Sequence, residues 1–181
     1  MNKFLIFSLV FLVFASCKSP EARKPISVKS GTFMEASVER NKALHEKQKT
    51  RFESYMTEHP ETEYISSENG FWYFYNSEKS TDTITAKFGD IVNFIFDVKH
   101  LNGKTIYTKE NLKPRNYAMD QEKLFSGLRE GLKLMKAGET VTFLFPSQKA
   151  YGYYGDNNKI GTNVPIICEV TVNKITKNET N

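Results

Sequence analysis

The sequence predicts an α+β protein, a twisted antiparallel β-sheet wrapped on one short helix and preceded by an N-terminal amphipathic helix. Three observations predict it. Phe71-Trp72-Tyr73-Phe74-Tyr75 is an unbroken run of aromatic β-formers. Val92, Phe94, Phe96 and Val98 alternate with more polar residues, and Asn102-Gly103 then marks a hairpin. Leu124, Leu128, Leu132 and Met135 recur at helical spacing between strand-like segments.

At 181 residues the chain has room for one ordinary domain with tails. Residues 1–16 read as a signal segment, because Lys3 precedes an apolar run from Phe4 to Phe14 that ends at Phe14-Ala15-Ser16-Cys17. That run is about eleven residues, too short for a membrane-spanning helix. Small residues before a cysteine suit lipoprotein processing, in which the Cys17 sulfur accepts a diacylglyceryl group; an ordinary cleaved signal is the weaker alternative. Residues 17–31, rich in Lys, Ser and Pro, form a flexible tether.

Residues 32–60 read as a helical stalk. Thr32-Phe33-Met34-Glu35 has the form of a capping box. Met34, Val38, His45, Gln48, Phe52, Tyr55 and Met56 follow near one face, which is half polar and needs a packing partner. That partner is the domain itself or a second chain, and the sequence leaves oligomerisation open. His59-Pro60 ends the helix.

Residues 61–176 carry the sheet. Lys109 to Arg115 reads as a polar loop, and Tyr117-Ala118-Met119 as a short strand. Asp120 is the expected N-cap of the second helix, with Gly138 at its stop. Strands resume at Thr140 to Phe145 and Val164 to Ile175, around a loop from Pro146 to Asn163.

The charge excludes one class of function. A formal net charge of +4 is spread without a basic block, so no nucleic-acid surface is expected. With Cys17 acylated, Cys168 has no disulfide partner and reads as a small buried hydrophobe. His45, His59 and His100 lack ligand-spaced neighbours, and no metal site is expected.

Four segments, in order, carry a family resemblance. Leu124-Phe125-Ser126-Gly127-Leu128-Arg129-Glu130-Gly131-Leu132-Lys133-Leu134-Met135-Lys136-Ala137-Gly138-Glu139 is similar to V-I-x-G-W-x-E-G-L-x-x-M-x-x-G-E. Phe145-Pro146, Ala150-Tyr151-Gly152 and Gly155 are similar to I-P-x-x-x-A-Y-G-x-x-G. Ile160-Gly161 with Val164 to Val172 matches the closing strand, and Lys87 to Val92 with Asn102-Gly103-Lys104 matches an earlier strand and hairpin. Together they cover about Tyr64 to Ile175, and the chain resembles the FKBP-type peptidyl-prolyl cis-trans isomerases.

The chemistry of that family needs no cofactor, proton transfer or nucleophile. An X-Pro amide turns over a barrier of about 20 kcal/mol in roughly tens of seconds. The planar ground state is dipolar through resonance, whereas the twisted transition state has lost it, so a dry apolar bowl favours the twisted form. Reaching milliseconds needs about four powers of ten, or about 5.5 kcal/mol.

The resemblance implies that Tyr151, Phe125 and Leu128 are catalytic. Tyr151 would donate its hydroxyl to the carbonyl of the residue before or at the proline, Phe125 would donate its backbone N–H, and Leu128 would form the floor. Phe96, Ile106, Tyr107, Leu124, Ile160 and Cys168 would bind substrate. Several positions depart from the family pattern. Leu128 stands for Trp, Ile106-Tyr107 for Phe-Asp, Arg115 and Tyr117 for the aromatics of Phe-x-Phe, Phe96 for Tyr, and Gly161-Thr162 for two prolines.

The functional expectation is therefore an isomerase acting on proline-containing clients, lipid-anchored at Cys17 in a bacterial envelope and facing the periplasm or on the outer membrane. Its rivals are a scaffold that binds proline segments with little turnover, and a structural lipoprotein assembling through residues 34–56.

Overall fold

The structure is a computed structural model that describes residues 30–76 and 80–179, with side chains from residue 33. Cys17, the signal segment and most of the tether lie outside the described residues. The chain divides into two compact units, Met1–Glu39 and Arg40–Asn181. Of the first, the described part is the opening of helix α1 (Ser30–Glu58), where Phe33, Met34 and Val38 are exposed. The helix begins two residues before the expected Thr32 and ends two residues before Pro60.

The second unit contains the rest of α1 and the whole sheet. Strands β1 (Ile65–Ser66), β2 (Trp72–Tyr75), β3 (Ile91–Phe96), β4 (Val98–Lys99) and β5 (Thr105–Tyr107) precede a one-turn helix α2 (Lys109–Leu112). After it come β6 (Arg115–Ala118), helix α3 (Ser126–Leu134), β7 (Thr140–Phe145), a 3₁₀ turn at Ser147–Lys149, and β8 (Ile166–Thr176). The main sheet runs β1-β2-β7-β8-β3-β6, with β4 joining β5 to β8, and every described pairing is antiparallel.

The alternation read in β3 is the observed one, with Val92, Phe94 and Phe96 buried. β7 does not alternate, because both its faces are covered. Phe143 and Phe145 share the main core with α3 residues Leu128 and Leu132. On the opposite face, Leu144 of β7 and Ile167 of β8 pack with Phe52 of α1, which is fully buried. Burying such a phenylalanine is worth about 1.5–3 kcal/mol. Half of the expected stripe on α1, from Gln48 to Met56, therefore finds its partner within its own unit.

Three local expectations are corrected. Asp120 does not cap α3: Phe125 is the N-cap, and Asp120 sits in a turn at φ 61°. Its carboxylate lies 3.5 Å from Arg129 Nε and 3.0 Å from Lys133 Nζ, holding the helix from the side. The helix also stops before Gly138, with Met135 as C-cap in extended backbone. The Lys109–Arg115 loop contains α2, closed by a reciprocal cap in which Asn111 N–H donates to Thr108 Oγ1 and Thr108 N–H donates to Asn111 Oδ1. Strand β6 accordingly begins at Arg115 rather than Tyr117.

Candidate active site

The start of α3 and the loop after β7 meet above the core. Gly127 sets how closely they approach. A Cβ there would lie 2.6 Å from Phe145 Cδ1 and 2.7 Å from the Lys149 carbonyl oxygen. Only glycine lets this first turn settle against the loop, which places Phe125 beside Tyr151. Their ring centroids are 5.0 Å apart, and Phe125 also meets Phe145 edge-on at 5.5 Å. Such aromatic pairs contribute roughly 0.5–1.5 kcal/mol beyond area burial, enough to hold both rings in place.

These rings border a groove of ≈ 440 Å³ lined by Arg115, Glu122, Lys123, Leu124, Phe125, Arg129 and Tyr151. Beneath it lies the packed core. The nine residues expected at the site fall in one cluster, but at different depths. Leu124, Phe125, Tyr151 and Tyr107 are half-buried, whereas Phe96, Ile106, Leu128, Ile160 and Cys168 are buried. Leu124, Phe125 and Tyr151 line the groove itself. Leu128 has no exposed surface, so it supports the groove from below.

The Tyr151 hydroxyl has no hydrogen-bond partner among the described residues. Burial raises its pKa well above the ordinary value near 10, with Cys168, Asp156 and Tyr107 adding to the effect and Arg115 opposing it. The phenol is therefore a protonated donor awaiting an acceptor. Phe125, as N-cap, has a backbone N–H that donates to no carbonyl among the described residues, and α3 follows immediately behind it. Two donors thus stand beside the apolar side chains of Leu124 and Phe125. Cys168 is fully buried, and burial pushes its thiol pKa well up, so it acts as packing rather than as a nucleophile.

Tyr107 behaves differently from its neighbours. Its hydroxyl donates to an Asp156 carboxylate oxygen, and Lys159 Nζ lies 5.0 Å from the centre of its ring. Burial opposes ionisation of Asp156, but the Tyr107 bond and the Ile160 and Asn158 N–H groups outweigh it and lower its pKa. The sequence reading missed Asp156. The acceptor of the Tyr107 hydroxyl comes from a loop residue 49 positions away. It also missed Lys123, Glu122 and Arg129 as groove residues, since charged side chains on a helix approach normally read as solvated surface.

Comparison with known proteins identifies the family. Residues 82–173 match the family model of the FKBP-type peptidyl-prolyl cis-trans isomerases. The chain belongs to that family. A curated relative named "Probable FKBP-type peptidyl-prolyl cis-trans isomerase FkpA", from Neisseria meningitidis serogroup B, is 28% identical over 142 residues, covering 77% of this chain and 50% of the relative. The chain thus spans about half the length of that protein. Two solved structures share the fold. The crystal structure of FkpA from Escherichia coli aligns with TM-score 0.59 at 20% identity, over 97% of this chain and 83% of that one. A peptidyl-prolyl cis-trans isomerase from Pseudomonas syringae aligns with TM-score 0.59 at 16% identity, over 75% and 96%. The matched segment takes in β3 to β7, most of β8, α3 and the loop that carries Tyr151.

Proposed function

We propose that this isomerase turns prolyl bonds of exported or envelope proteins in the groove between Phe125 and Tyr151. One observation carries the reading. A half-buried, protonated phenol with no hydrogen-bond partner among the described residues stands 5.0 Å, centroid to centroid, from an aromatic ring whose own backbone N–H donates to none of them. A prolyl ring on Leu124 and Phe125 would leave its neighbouring carbonyl within reach of the Tyr151 hydroxyl. Desolvation of the amide disfavours the dipolar planar form, and the two donors hold the flanking carbonyls of the peptide in place while the C–N bond twists.

A protease-coupled assay on a Leu-Pro peptide, using the protein from Lys18, tests this directly. Tyr151→Phe should lower kcat/KM about tenfold, the order expected for losing one hydrogen bond to the reacting group. Turnover equal to the uncatalysed rate, or unaltered by Tyr151→Phe, would overturn the reading. Leu128→Ala is the poorer probe, because Leu128 is completely buried and its loss unsettles the core.

The Phe14-Ala15-Ser16-Cys17 junction supports an envelope location. In this reading Cys17 carries the lipid, the domain faces the periplasm or sits on the outer membrane, and its clients are other exported chains. A Cys17→Ser variant should leave the membrane fraction and lose palmitate labelling; retention of both excludes lipidation. Lipobox, helical stalk and isomerase domain in this order also resemble the gliding-motility-associated isomerase lipoproteins of Bacteroidetes, and a role in gliding motility belongs to the same proposal.

A weakly catalytic, proline-binding scaffold is favoured by one feature. Leu128 and Tyr107 stand where the family has Trp and Asp. Tight peptide binding without turnover would establish that second reading.

A further inference from the structure

Of the seven residues lining the groove, three are cationic, Arg115, Lys123 and Arg129, and one is anionic, Glu122. Their charges are not equally available. Arg129 is drawn aside by Asp120 at 3.5 Å and Glu130 at 3.8 Å. Glu122 Oε1 accepts the Ala118 N–H at 3.3 Å, which ties it to the end of β6. Asp156, the nearest other carboxylate named at the site, is held by Tyr107 and two backbone N–H groups. Arg115 and Lys123, in contrast, make no ion pair among the described residues, and both are exposed. Arg115 opens β6, whose backbone pairing with Phe94 of β3 fixes where its side chain leaves the sheet. The groove thus presents an apolar floor and two uncommitted cations at its rim.

We propose that Arg115, assisted by Lys123, makes this isomerase selective for prolines flanked by acidic residues. The inference rests on the groove being the prolyl site, and it names the class of client segment that site prefers. A peptide whose proline lies on Leu124 and Phe125 must carry its neighbouring side chains along the rim. A carboxylate there meets a guanidinium that offers a two-pronged set of donors and has no competing ion pair among the described residues. A lysine there meets like charge. At an exposed rim the effect on binding is modest and salt-dependent, and it acts on encounter as well as on the bound state.

The test uses Ala-X-Pro-Phe and Ala-Leu-Pro-Z peptides with X or Z as Glu, Gln, Leu or Lys, and reads cis–trans exchange by NMR. At low ionic strength Glu should exceed Lys in kcat/KM about 5- to 20-fold in at least one series, with Gln between. Half-molar sodium chloride should shrink that ratio to about twofold or less. Arg115→Phe should remove most of the preference whatever it does to the overall rate, and Lys123→Gln should reduce it by a smaller part. Equal rates for Glu, Gln and Lys, or a preference that Arg115→Phe leaves undiminished, would overturn the proposal. Chemical-shift titrations with the same peptides keep the two readings separable. Absent turnover with charge-selective binding defeats the catalytic reading alone, and turnover without charge preference defeats this one alone.

Discussion

Gln48 on helix α1 and Ser147 after β7 exchange two hydrogen bonds, although they are 99 residues apart. Gln48 Nε2 donates to Ser147 Oγ at 2.8 Å, and the Ser147 N–H donates to Gln48 Oε1 at 2.8 Å. The second amide hydrogen of Gln48 goes to the Asn163 carbonyl at 3.1 Å. One buried side chain thereby joins both ends of the loop that carries Tyr151. Gly152 completes the stitch, donating to the Ser147 carbonyl at 2.8 Å and accepting from Asn163 N–H at 2.9 Å.

Gln48→Ala should therefore act on both stability and catalysis. It leaves the buried Ser147 N–H unpartnered, which costs about 1–3 kcal/mol, and it unties both ends of the loop that carries Tyr151. Urea unfolding should show that loss, and kcat/KM on a Leu-Pro peptide should fall several-fold. Gln48→Glu keeps the acceptor for Ser147 N–H and loses both donated bonds, so it should fall between. Unchanged turnover in a destabilised Gln48→Ala protein would show that the loop holds its shape without α1.

Gly155 is a second support of the same loop. It sits at φ 67°, and a Cβ there would lie 2.1 Å from the Ile160 carbonyl oxygen and 3.0 Å from that of Gly161. Alanine must both adopt the left-handed region and push backbone apart, for a loss of about 2 kcal/mol or more. Because Asp156 follows directly, the Tyr107–Asp156 bond should weaken too. Thermal unfolding of Gly155→Ala checks the first effect, and a fall in the Tyr107 pKa seen by ultraviolet titration checks the second.

The parts of this molecule that were legible in sequence are those written in local periodicity. Alternation specified β3, and the Leu128–Leu132 spacing specified α3, since each pattern encodes which face is buried. Tyr151 and Phe125 were legible through the family segments around them. What escaped depends on distant partners. Gln48 read only as one polar member of a half-polar face, because its three hydrogen bonds go to residues 99 and 115 positions away. The Tyr107–Asp156 pair has no local signature either. Asp120 misled for a related reason. A helix-capping aspartate and one that braces a helix from the side look alike until Arg129 and Lys133 are seen beside it.

The raised pKa of Tyr151 sets an expectation for alkaline pH. The phenol donates only while protonated, and burial keeps it protonated above the usual tyrosine range. With an uncharged Leu-Pro peptide, kcat/KM should be flat from pH 7 to about 10. A decline centred near pH 10 would mean that Tyr151 titrates as a solvated phenol, contrary to its position against Phe125.

Stability at acid pH should instead be governed in part by Asp90, at the entrance to β3. Burial of its carboxyl opposes ionisation, but hydrogen bonds from Lys177 Nζ at 2.9 Å, Asn178 N–H at 3.0 Å and Lys87 N–H at 2.8 Å outweigh it. The net result is a pKa lowered from 3.8 to about 2. A carboxyl more acidic in the folded than in the unfolded state stabilises the fold at pH values above its unfolded pKa. That contribution fades as pH falls from about 4 to about 2. It amounts to about 1–2 kcal/mol. The wild-type protein should lose that much between pH 4.5 and 2 beyond the loss in Asp90→Asn, which has no proton to take up at this position. Parallel acid-unfolding curves for the two proteins would show that the three hydrogen bonds do not hold the ionised form.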